Sequence, residues 1–284
     1  ALAVLGTAAV IPVARKTGLV DRPRGRKDHP VATPMGGGVA IHAAFWLPVW
    51  AGFAAATAAA SGWQPSWMPE RLADLALGLR HVQFRLLAIF LGSTVIAAVG
   101  LVDDRYGLPA WPRLTAQILV ALGMFAAGVR VTVFYESAAM SGFVTVLWFV
   151  LLTNAFNWLD NMDALAGGTA LIVSAIFLAV ALQTGQYFLA SALALLIGVL
   201  AGFLVFNWPP ARVFMGDCGS TQLGLLLAAL TAEFTFYRDA GYQPLLPIVV
   251  PLLIFAVPLY DMISVILIRL HEGRPVYQGD HSHF

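Results

Sequence analysis

Apolar runs of 17 or more residues recur along this chain from one end to the other, separated by short polar turns. A run of that length crosses the ~30 Å of hydrocarbon in a bilayer, and a chain with many of them has few other places to go. Hydrophobic residues make up 60% of the 284 and charged residues 11%, with a mean hydropathy of +0.80, so a water-soluble domain is excluded. Backbone groups inside lipid must bond to one another. The runs lack the ten-residue alternation of a membrane barrel, so they span as helices. Spans are predicted at roughly 2–14, 36–59, 86–102, 114–130, 143–159, 168–184, 188–206, 219–236 and 245–270. The fold class expected is an all-α polytopic membrane protein. No cleavable signal, low-complexity tract or clear internal repeat interrupts it, and residues 1–284 read as one integral-membrane domain trimmed at both ends, with nine to eleven transmembrane helices in all.

Nine alternating spans sort the loops into two sets. One set, residues 15–35, 102–113, 157–167, 207–218 and 269–284, carries eleven of the sixteen Lys and Arg residues. The positive-inside rule makes that face cytoplasmic. A net charge of +1 gives no general nucleic-acid footprint, and the lone Cys218 excludes an intramolecular disulfide.

The same face gathers acids. Asp103 and Asp104 end the third span, Asp217 precedes the eighth, and Asn157, Asp160 and Asp163 follow one another at i, i+3, i+6. If the fifth helix continues through them, those three share one side of it. Five carboxylates converging from three loops repel unless a cation or protons intervene. Mg²⁺ suits such a set, since it takes one or two carboxylates and completes its shell with water and phosphate oxygens, with Mn²⁺ as a substitute; zinc would want thiolates or an HExxH helix. Basic partners for phosphate stand nearby in Lys27, His29, Arg113, Arg212, His281 and His283, and Gly36-Gly37-Gly38 would let backbone approach a phosphate.

Five stretches in order, DHPVATPMGGG at 28–38, GLVDDRYGL at 100–108, NAFNWLDNMDALAGG at 154–168, NWPPARVFMGDCGST at 207–221 and GDHSHF at 279–284, resemble the polyprenyl-phosphate N-acetylhexosamine-1-phosphate transferases. The resemblance covers nearly the whole chain. It implies transfer of a sugar-1-phosphate from a UDP-sugar to a membrane polyprenyl phosphate, with release of UMP and a need for Mg²⁺, in the bacterial inner membrane with the site facing the cytoplasm. It also implies roles. Asp217 would be the principal metal ligand; Asp103 and Asp104 would position or deprotonate the lipid phosphate; Asp160 and Asp163 would act in the site beside Asn157; Asn207 and Phe214 would line a nucleoside pocket; His283 would bind donor phosphates or sugar. Of the basic residues read from the sequence itself, His29, Arg113 and Arg212 are the further expected substrate contacts. The Asp280-x-x-His283 ending looks more like the N-acetylglucosamine branch than the triple-histidine run of the peptidoglycan branch, so UDP-N-acetylglucosamine and undecaprenyl phosphate are the expected substrates, and starting a cell-envelope polysaccharide the expected task. Members of the family are often homodimers.

Other readings compete. A phospho-MurNAc-pentapeptide transferase shares the motifs, an intramembrane prenyltransferase would carry paired Asp motifs in two repeats, and an ion-coupled transporter would place its acids at mid-span. Blander roles are expected for His42 (a helix-to-helix hydrogen bond), Cys218 (a small buried residue), Asp261 (an ion pair or polar packing), Gly167-Gly168 (close packing) and Trp111 (an interface anchor). The basic run from Arg22 to Lys27 serves anionic headgroups or substrate equally well.

Overall fold

The computed structural model describes residues 1–21, 32–62, 70–131, 137–234 and 246–274. Ten helices account for most of them: α1 Leu2–Thr17, α2 Gly37–Ala60, α3 Glu70–Tyr106, α4 Ala110–Ala126, α5 Ala138–Leu159, α6 Leu165–Gln183, α7 Tyr187–Asn207, α8 Gly216–Ala232, α9 Leu246–Ile254 and α10 Ala256–His271. Two dipeptide strands, β1 Val20–Asp21 and β2 Thr33–Pro34, pair antiparallel. Five of the helices are long and apolar enough to cross a membrane: Gly37–Ala59, Val82–Tyr106, Ala138–Leu159, Leu165–Gln183 and Tyr187–Asn207.

Two spans depart from expectation. α3 starts well before residue 86, because Glu70, Arg71, Asp74 and Arg80 lower the hydropathy of its first turns without breaking a helix. The span expected at 245–270 is two helices. Pro258 cannot donate to the carbonyl at 254 and its ring crowds that turn, so the ladder breaks at Phe255.

α8 is the centre of the bundle. From Gly216 to Thr231 nearly every residue is buried, which a helix apolar on all sides achieves only when neighbours surround it. Glycines set how close those neighbours come. A Cβ on Gly38 of α2 would lie 2.2 Å from the Gly219 nitrogen, one on Gly100 of α3 would lie 2.5 Å from the Asp217 carbonyl oxygen, and one on Gly224 would lie 2.4 Å from the Leu152 carbonyl oxygen of α5. The three contacts put backbone against backbone, which is how helices associate where lipid offers no hydrophobic drive. A polar relay reinforces the α2–α3–α8 contact: His42 Nδ1 lies 2.7 Å from Gln222 Oε1, His42 Nε2 lies 3.2 Å from Thr94 Oγ1, and Gln222 donates to the Gly38 carbonyl at 2.6 Å. His42 is thus the helix-to-helix contact expected of it, and Cys218 is buried.

The C-terminal ends of α1, α3, α5, α7 and α10 and the N-terminal ends of α2, α4, α6 and α8 meet on one side of the bundle. At the opposite side Arg85 pairs with Glu233 at 2.8 Å, pinning α3 to the far end of α8.

Candidate active site

Between α3, α4, α5, α8 and α10, at the end where the acids gather, lies a cavity of about 540 Å³. Asp160, Asp217, Asn157 and Arg113 stand on its wall, with Ile96 and Val99 making an apolar side.

Asp217 occupies the first turn of α8, where a carboxylate also suits the helix dipole. Its Oδ1 accepts from Asn157 Nδ2 at 2.9 Å and its Oδ2 from Arg113 Nη1 at 3.0 Å. The same Arg113 nitrogen donates to Asp103 Oδ2 at 2.6 Å, while Asp103 Oδ1 accepts the Leu108 N–H that closes the α3–α4 turn. Asp104 behaves differently from its neighbour. Its two oxygens accept the backbone N–H groups of Asp217, at 2.8 Å, and Cys218, at 3.1 Å. These are among the donors a helix start leaves unpaired, so Asp104 caps α8 from across the bundle. Gly216 makes this possible: its φ is +72°, and a Cβ there would sit 2.6 Å from Asp104 Oδ2.

The expectation that Asn157, Asp160 and Asp163 share a helix face fails at Asp160. α5 ends at Leu159, residues 160–164 turn, and Ala164 at φ +64° starts α6. Asn157 and Asp160 reach the cavity, whereas Asp163 Oδ2 accepts the Ala211 N–H at 2.8 Å and ties this turn to the 208–214 loop. Burial, joined by the charges of Asp217, Asp104 and Asp163, pushes the Asp160 carboxyl well above the usual carboxylate range.

The structure places four other expected contacts away from this cavity wall. Asn207, expected in a nucleoside pocket, is buried with both ends of its amide occupied: Oδ1 accepts from Ala164 N–H at 3.0 Å and Nδ2 donates to Val213 O at 2.9 Å. Phe214 is half-buried, off the cavity wall, with its backbone bonded to Pro34 and Gly37. Arg212 folds back on α7, donating to Val205 O at 2.8 Å with its guanidinium 4.8 Å from the Phe206 ring centre. The Gly37 and Gly38 N–H groups are taken by the Phe214 and Met215 carbonyls at 3.0 Å each, so these glycines dock α2 on the 214–219 segment rather than cradle a phosphate. Lys27, His29, Asp280, His281 and His283 lie outside the described residues.

The cavity also holds residues the motifs did not single out. Arg269, in the last turn of α10, is buried with its guanidinium 5.1 Å from the Trp158 ring centre, and both line the wall. Deeper in, Gln117 of α4 and Asn154 of α5 pair through their amides, Asn154 Nδ2 donating to Gln117 Oε1 at 2.6 Å. Their signal was present in the sequence, as isolated polar residues in apolar helices at the acid-bearing end. Trp111, expected as an interface anchor, stands at the cavity mouth.

Among the described residues no three His, Cys, Asp or Glu side chains form a ready metal cluster. The donor set nevertheless fits a hard cation that needs only one or two carboxylates, since Asp217 and Asp160 face one cavity with carboxyl and amide oxygens about them.

The sequence pattern of Glycosyl transferase family 4 matches residues 86–235, the stretch that supplies Asp103, Asp104, Arg113, Asn157, Asp160, Asp163 and Asp217. The chain belongs to glycosyl transferase family 4. Within that family it is similar to the probable undecaprenyl-phosphate N-acetylglucosaminyl 1-phosphate transferase of Bacillus subtilis, 32% identical over 285 aligned residues that cover 98% of this chain and 71% of the relative. It is 30% identical to the decaprenyl-phosphate N-acetylglucosaminephosphotransferase of Mycobacterium leprae over 99% of this chain and 75% of that one. The undecaprenyl-phosphate alpha-N-acetylglucosaminyl 1-phosphate transferase of Thermotoga maritima is 28% identical over 98% and 75% of the two chains. The family 4 pattern ends at residue 235, yet Arg269 of α10 completes the cavity wall.

Proposed function

We propose that this chain transfers N-acetylglucosamine-1-phosphate from UDP-N-acetylglucosamine to undecaprenyl phosphate in the bacterial inner membrane, at a site facing the cytoplasm. The observation that carries the reading is the cavity, at one end of an apolar bundle, where Asp160, Asp217 and Arg113 meet inside the segment that matches the family. The relatives' names supply the substrate class. The eleven basic residues on that face support its cytoplasmic orientation.

A lipid phosphate oxygen attacks the β-phosphorus of the donor, the bond from that phosphorus to the bridging oxygen breaks, and UMP leaves. Mg²⁺, or Mn²⁺ in its place, held by Asp217 with Asp160 beside it, would neutralise charge on the diphosphate. The chain's own work is to bring two anions together. Asn157 holds the Asp217 carboxylate, Asp104 fixes the turn that carries it, and Arg113 places a cation among the acids. The attacking oxygen is already anionic at neutral pH, so little base catalysis is needed. Direct attack is favoured over an aspartyl intermediate because the Asp103 and Asp104 oxygens are all engaged in hydrogen bonds.

The test is UMP release by the purified full-length protein with undecaprenyl phosphate, Mg²⁺ and a panel of UDP-sugars. Release from UDP-N-acetylglucosamine, abolished by chelator and reduced at least about 100-fold in Asp217→Asn, is expected. A folded protein that releases no UMP from any sugar would sink the proposal.

A further inference from the structure

One nitrogen of Arg113 serves two carboxylates from different helices, Asp103 of α3 at 2.6 Å and Asp217 of α8 at 3.0 Å. Asn157 takes the other Asp217 oxygen, so both oxygens of the central carboxylate are satisfied by this chain alone. The guanidinium thus sits where a cation is needed to let a buried acid, Asp103, and a half-buried one, Asp217, approach each other.

We propose that Arg113 is a resident counter-cation that a divalent ion displaces from Asp217, and that the displaced guanidinium then takes a phosphate oxygen of a substrate. This inference rests on the metal-dependent reading above. A dication and a guanidinium on the same Asp217 oxygen repel each other, and arginine cannot relieve the conflict by losing its proton, so it moves. The shorter bond, to Asp103, stays as the pivot; Asp103 is buried and held from its other side by Leu108 N–H, while the Arg113 side chain is 30% exposed beside a cavity with room for the swing. A guanidinium turned into that cavity presents a planar fork suited to phosphate. Metal entry therefore creates the anion site, and metal and phosphate binding favour each other reciprocally.

Mn²⁺ binding to the purified full chain, read by electron paramagnetic resonance without turnover, tests the exchange. R113Q and R113M remove the competing charge and are expected to bind Mn²⁺ about fivefold or more tightly than wild type, whereas R113K, which keeps a cation, stays near wild type. Binding of UDP-N-acetylglucosamine and of undecaprenyl phosphate is then measured separately with and without Mn²⁺. In wild type the metal raises affinity for the phosphate that Arg113 serves, and the rise is smaller in R113Q and R113M; which substrate shows the difference tells donor from acceptor. Mn²⁺ held no more tightly by the uncharged variants, or by none of the proteins, overturns the exchange, as does an equal rise in phosphate affinity with and without the arginine. Using two uncharged variants keeps a folding defect of one from deciding the matter. Because no chemistry occurs in the titration, its result stands apart from that of the UMP assay.

Discussion

Five aspartates that look alike in the sequence do different jobs once placed. Asp217 and Asp160 face the cavity, Asp103 pairs with Arg113, Asp104 caps α8 and Asp163 holds a loop. The fold resists the charge of Asp160, as it does that of Asp217, whose carboxyl is pushed up to about 7 by burial. A carboxyl whose folded pKa is raised makes deprotonation dearer in the folded chain, a penalty absent below the unfolded pKa near ~4 and complete above the folded one. Asp160→Asn is therefore expected to melt above wild type at pH 8 in chelator, with the gap closing as pH falls and as Mg²⁺ is added; thermal melts in detergent across pH check this. Asn207 is the converse case, a polar group the fold depends on. Asn207→Ala leaves the Ala164 N–H and Val213 O without their partner, and a loss of about 2 kcal/mol is expected from the same melts.

At the scale of helices, the site is held by how closely α8 is gripped. Gly38→Ala would drive a methyl group into the Gly219 backbone, and such overpacking costs about 3 kcal/mol or more. Gly168→Ala meets nothing within 4 Å, so of the Gly167-Gly168 pair expected to permit close packing only Gly167, whose Cβ would lie 3.2 Å from Leu204, is so constrained. The comparison is read by the yield of monodisperse protein and its melting temperature, Gly168→Ala matching wild type. The helices themselves were legible from apolar run length alone, to within a few residues at α1, α2, α6, α7 and α8. Breaks caused by a local event were less so. The α9–α10 break follows from Pro258, but the end of α5 inside NWLDNMDAL is set by the tie from Asp163 to Ala211, which no window of sequence contains.

For the whole molecule, alternation of helices and the side chosen by basic residues predict orientation as well as span. Tyr106, 76% exposed at the acid-bearing end, and Tyr187, 66% exposed at the other, are positions for single cysteines, and the native Cys218 at 1% exposure stays silent. Tyr187→Cys is expected to react with an impermeant maleimide in intact cells and Tyr106→Cys only after permeabilisation; the reverse pattern would put the site outside. The membrane class, the rough helix borders, the side bearing the acids and the motifs of the family were all determined by the sequence itself, because each depends on local run length, charge count or short spacing. Which acid faces the cavity, which caps α8, that Gly37 and Gly38 dock a helix and that Arg269 and Trp158 wall the site were decided only by tertiary structure. Each of those outcomes depends on which distant backbone donor or side chain arrives alongside, and residues 103, 113, 157, 217 and 269 become neighbours only when α8 is packed at the centre.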